Sequence, residues 1–134
     1  MIAVDTSVVV AAFASWHEGH EAVASVMAMG ARLPAHCALE SYSVLTRLPP
    51  PHRVGGALAR DFIRRRFAEP WLVLDPADHA TLLDRLVEEA VTGGAAYDGL
   101  VGLTAARHAA RLYSRDRRAA RVYQALDVDF ELIA

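Results

Sequence analysis

The sequence predicts an α/β fold of three layers, a mainly parallel sheet with helices on both faces. Short apolar runs of strand length alternate with stretches of helical spacing from one end of the chain to the other, the order that a parallel sheet covered by helices requires. No repeat, low-complexity tract or linker breaks the series, so a single domain over residues 1–134 is expected. The length and the 54% hydrophobic content suffice for a core without disulfide or metal staples, and 22% charged residues mark a globular chain rather than a disordered one.

Residues 2–5, "IAVD", read as the first strand. The apolar run from Ser7 to Phe13 is too continuous for a strand that has just met the cap-forming Asp5, Thr6 and Ser7, so a short buried helix follows. "HEGHEAVASVMAMG" places Ala22, Val23, Val26 and Met27 on one helical face, and Gly30 stops it. "ARLPA" predicts a second strand, and "HCALESYSVLTRL" a helix that Pro49 to Pro51 end. Leu58, Phe62 and Ile63 give helical spacing between Val54 and Phe67, and "WLVLD" is a third strand. The next helix starts at Asp75 to Asp78 and should run to Gly93 and Gly94. "YDGLVGLTAARHA" is a helix, "RLYS" a strand, "RDRRAARVYQALD" a helix and "VDFELI" the last strand.

Composition narrows the chemistry. No apolar stretch approaches the roughly 20 residues that span a bilayer, and no leader pattern opens the chain, so a cytoplasmic protein with no membrane partner is expected. Cys37 is the only cysteine and reads as a small buried hydrophobe. The net charge of -2 argues against a wholesale nucleic-acid coat. All 14 basic residues are arginine, which excludes a Walker-type phosphate loop and a Schiff-base lysine.

In a parallel sheet the loops leaving the carboxyl ends of the strands open on one edge, where ligands bind. Asp5 ends the first strand, Glu40 lies about one turn into the helix after "ARLPA", Asp116 lies just beyond "RLYS", and Asp98 begins the helix before that strand. Each has a plain structural alternative as a helix cap or first-turn acid. Together, four carboxylates in one pocket repel one another unless a cation neutralises them, and a hard divalent ion, Mg²⁺ or Mn²⁺, is the natural solution. Thr6, Ser7 and Ser114 put hydroxyls beside two of the acids. Arg115, Arg117 and Arg118 crowd the last acid, and their guanidinium groups match phosphate oxygens; the alternative is a solvated helix face.

These residues carry a resemblance. "VDTSVVV", "PAHCALESYSVLTRLPPPHR" and "AYDGLVGLTAARHAARLYSRDRRAARVYQAL" resemble the PIN-domain family of metal-dependent ribonucleases, and within it the VapC-type toxins of bacterial type II toxin–antitoxin pairs. The resemblance implies a PIN-like fold, with catalytic, metal-binding acids at Asp5, Glu40, Asp98 and Asp116 and supporting hydroxyls at Thr6 and Ser114. Ser114 stands where a threonine is often seen. It further implies Mg²⁺-dependent hydrolysis of RNA phosphodiesters, with Mn²⁺ as a substitute ion; the arginine cluster, read from its charge alone, is then expected to hold the RNA backbone through Arg115, Arg117 and Arg118. The partners implied are a cognate VapB-type antitoxin, a second copy in a homodimer, and toxin–antitoxin hetero-oligomers. "SVVVAAFASW" and the Val54 to Phe67 helix would supply the antitoxin groove, core packing being the alternative for the first.

Rival chemistries lack their residues. A receiver domain requires a lysine, a dehalogenase-like phosphatase a second Asp at position 7, and a nucleotide-binding module a Gly-rich loop after the first strand. His17 and His20 are three apart, not the four of a zinc metalloprotease helix, and read as exposed helix residues. The alternative from another class is a non-catalytic PIN-fold module that binds RNA or protein.

Overall fold

The computed structural model describes residues 1–134. Its elements are β1 (Ile2–Val4), α1 (Thr6–Phe13), α2 (His20–Ala28), α3 (Ala35–Thr46), α4 (Gly56–Arg66), α5 (Pro76–Glu88), α6 (Ala95–Arg107), β2 (Arg111–Ser114), α7 (Arg117–Ala125) and β3 (Phe130–Leu132). β1 pairs parallel with β2, Ile2 opposite Arg111 and Val4 opposite Tyr113, and β2 pairs parallel with β3, Leu112 opposite Phe130. The α/β class with a parallel sheet is as the alternation predicts.

Two expected strands shrink to single parallel bridges, Ala3 with Arg32 and Pro34 with Leu72. They still carry the sheet outward past β1, through Arg32 N–H to the Ile2 carbonyl (2.8 Å) and Leu72 N–H to the Leu33 carbonyl (2.9 Å). Neither grows longer because Pro34 has no N–H to give and α3 begins at the next residue. α5 also ends earlier than its glycines suggest. It stops at Glu88, Ala90 takes a left-handed φ of 53°, and the Val91 N–H closes back on the Leu86 carbonyl at 2.9 Å.

β1 and β2 form the floor of the core, with Ala3, Val4 and Leu112 wholly buried. The apolar run of α1 turns inward too, burying Val8, Val9 and Ala11, so this helix is spent on the core and not on the expected partner groove. An apolar groove of about 520 Å³ instead lies between α3 and α4, lined by Leu39, Tyr42, Ile63 and Trp71 with Arg60 and Arg64 at its edge. α6 packs closely on α7: a Cβ on Gly102 would stand 3.0 Å from both the Tyr123 ring and Val128. Arg107 reaches Asp78 at 3.0 Å and ties α6 to α5.

Candidate active site

Because the strands are parallel, their carboxyl ends share one edge, and the helices that return antiparallel to them present their N-termini there. Asp5 leaves β1 on this edge and caps α1, its Oδ1 accepting from the Ser7 N–H at 3.1 Å. Asp116 leaves β2 by two residues and caps α7, its Oδ1 accepting from the Arg118 and Ala119 N–H groups at 2.8 and 3.3 Å. Asp98 sits in the first turn of α6 and Glu40 in the second turn of α3. All four acids, with Thr6, Ser7, Arg115 and Arg117, line one cavity of about 490 Å³.

Asp5 is fixed on both oxygens. The Ser7 hydroxyl donates to Oδ1 at 2.5 Å, and the Tyr123 hydroxyl donates to Oδ2 at 2.8 Å. Ser7 is held in turn by the Arg115 N–H at 2.8 Å and stands 3.4 Å from the Ser114 hydroxyl, which accepts from the Asp116 N–H at 3.0 Å. This chain of hydroxyls links the end of β1 to the end of β2. Ser114 is wholly buried behind the cavity rather than lining it. Tyr123 is a site residue that the sequence reading missed; its place on the inner face of α7 signals burial, not a bond to a residue near the other terminus.

Burial raises the Asp98 carboxyl, and the charges of Asp116, Asp5 and Glu40 raise it further, to about 6. Burial also raises Asp5, against the hydroxyl donors around it. The Tyr123 phenol is pushed far above its usual range by burial and by Asp5, and so remains a donor. Glu40 is half-buried and lies 3.5 Å from His36, one helical turn back.

The arginines divide. Arg115 lines the cavity with its guanidinium against the backbone of Gly19, and Arg117 lines it as an exposed side chain. Arg118 is not brought there; it lines a separate hollow with Arg121 between the end of α5 and α7. His17 departs from the helix expected for it: it lies in the turn before α2, lines the cavity, and accepts from the Gly19 N–H at 2.9 Å. His20 opens α2 with Nδ1 at 2.9 Å from the Ala11 carbonyl.

The donors fit a hard divalent cation. They are carboxylates, with the Thr6 hydroxyl beside them, buried and without a hydrogen-bond partner, and the mutual repulsion that adds to burial in raising Asp98 is what a cation would relieve. No three His, Cys, Asp or Glu side chains stand close enough to form a closed ligand cluster.

The chain is 50% identical over 133 residues to Ribonuclease VapC40 of two Mycobacterium tuberculosis strains, CDC 1551 / Oshkosh and ATCC 25618 / H37Rv, an alignment covering 99% of this chain and 99% of each relative. It is 41% identical over 128 residues to Ribonuclease VapC27 of strain ATCC 25618 / H37Rv, covering 95% of this chain and 93% of that protein. The PIN domain family profile matches residues 2–125. With this match over nearly the whole chain, and relatives that align from end to end, the chain belongs to the PIN domain family, in its VapC branch.

Proposed function

We propose that this chain is a divalent-metal-dependent endoribonuclease that hydrolyses RNA phosphodiester bonds, and that it acts as the toxin of a type II toxin–antitoxin pair. The observation that carries the reading is the meeting of carboxylates from four separate segments in one cavity, where burial first and the neighbouring acids second raise Asp98 to about 6. The ribonuclease names of the VapC relatives support the same chemistry.

Asp5, Glu40, Asp98 and Asp116 would hold Mg²⁺, with Mn²⁺ as a substitute. A divalent ion there supplies Lewis-acid charge to the scissile phosphate and makes a water more acidic. The protein's own part is preorganisation. Ser7 and Tyr123 clamp the Asp5 carboxylate in one orientation, and the wall of α1 and α3, through Val10 and Val44, gives the cavity an apolar side. Arg115 and Arg117, which line the same cavity, hold phosphate oxygens of the RNA backbone.

A VapB-type antitoxin restrains this activity, with the α3–α4 groove as the apolar seat for an amphipathic segment and Arg60 and Arg64 to meet its acids. The toxin forms homodimers and larger toxin–antitoxin assemblies in the cytoplasm. No helix of the chain is long and apolar enough to cross a membrane.

The test is purified, antitoxin-free protein incubated with total cellular RNA in Mg²⁺. Wild-type protein cleaves, a chelator stops it, and Asp5→Asn leaves a folded protein that does not cleave. Wild-type protein that binds its partner yet cleaves no RNA in Mg²⁺ or Mn²⁺ would establish the non-catalytic reading instead.

A further inference from the structure

We propose that Trp16 is a stacking platform for an unpaired base of the RNA strand whose phosphate enters the carboxylate cavity, an inference that rests on the ribonuclease reading. Trp16 lies in the turn between α1 and α2 and is 51% exposed, although nothing in the core requires a large aromatic there. The His52 ring stacks on it with centroids 4.0 Å apart and planes 27° from parallel, so one face is backed and the indole is held in place. Much of its remaining surface is open to solvent.

The turn belongs to the cavity wall. His17, the next residue, lines the cavity, its ring centroid 6.1 Å from that of Trp16. Two residues further on, Gly19 carries the Arg115 guanidinium against its backbone. The backed indole and the cavity-lining Arg115, which packs on Gly19 from the end of β2, therefore meet at the same six-residue turn. Single-stranded nucleic acid is gripped by this combination of cationic groups along the backbone and aromatic faces under the bases. Stacking accepts any base, so Trp16 adds affinity and fixes where the strand lies without reading its sequence.

The experiment measures binding of a short labelled single-stranded oligoribonucleotide of mixed sequence to Asp5→Asn protein, at several salt concentrations. Adding Trp16→Ala weakens binding about 5- to 150-fold, while Trp16→Phe keeps most of the affinity. The slope of log K against log salt stays unchanged, because a stacked base releases no counterions, whereas Arg117→Ala flattens it. An oligoribonucleotide with abasic positions throughout gains nothing from Trp16. Full-strength RNA binding by the Trp16→Ala protein overturns the inference and leaves the ribonuclease reading standing; wild-type protein that cleaves no RNA in Mg²⁺ or Mn²⁺ overturns the reading on which the inference rests. In a Trp71→Phe background Trp16 is the sole indole, and bound RNA quenches its fluorescence. Unquenched emission at saturating RNA overturns the platform independently of how the alanine variant folds.

Discussion

Asp98 is pushed up to about 6, from an ordinary 3.8, first by burial and then by Asp116, Asp5 and Glu40. Its folded value lies above its unfolded one, so without a cation its contribution to stability declines as pH climbs from 3.8 through about 6. Only the ionised carboxylate attracts a cation. Cleavage at low Mg²⁺ should therefore rise with pH through about 6 and level off above it. Raising the Mg²⁺ concentration should move the midpoint of that rise to lower pH, because the ion and the proton compete for the same oxygens. A pH–rate profile at low and at high Mg²⁺ checks both, and a midpoint indifferent to Mg²⁺ would count against a cation at Asp98. The four acids stood out one by one: Asp5 and Asp116 follow strands, Asp98 opens a helix, and Glu40 lies a turn into another. Tyr123 was not, because its hydrogen bond to Asp5 spans 118 positions and no local pattern encodes it.

Two helices start on acids of the cavity: Asp5 caps α1 and Asp116 caps α7, each through Oδ1, and the cap sets the direction of the carboxylate. Asp116 gives Oδ1 to the first turn of α7. Asp116→Asn should keep the cap and lose the charge, leaving thermal stability near wild type while RNA cleavage falls. Asp116→Ala should lose both and cost about 1 kcal/mol in a urea melt. Equal cleavage by the Asn variant and wild type would reduce Asp116 to a cap. Helices were readable where their apolar spacing is plain, as α2 and α4 show. Ends were less so. Gly93 and Gly94 drew the expected end of α5 too far because the chain leaves the helix through Ala90, which carries no such signal. The runs "ARLPA" and "WLVLD" have strand composition, but proline and the immediate start of α3 confine each to one bridge.

For the whole molecule, the repulsion gathered on the sheet edge links cation binding to folding. An ion that binds the folded cavity and not the unfolded chain stabilises the fold, by about 2.7 kcal/mol at a hundred times its Kd. The thermal midpoint should rise with Mg²⁺ in wild type and rise far less in Asp98→Asn, a readout independent of turnover. The alternation of elements made the parallel sheet and its common edge foreseeable, but not which side chains that edge would gather. Arg118 follows Arg117 in sequence yet faces another hollow, since neighbours on a helix point about 100° apart. The close approach of α6 to α7 at Gly102 has a practical outcome. A methyl group there would press on the Tyr123 ring, the ring would yield by a few tenths of an ångström, and the hydroxyl that steadies Asp5 would move with it. Alanine's better helix propensity offsets part of the crowding, so Gly102→Ala should fold and melt near wild type while cleaving on the order of tenfold more slowly. A throttle set from behind the carboxylate cavity, with every polar group of that cavity intact, would yield an attenuated variant: native in shape, unchanged at its surface, and slower only in RNA cleavage.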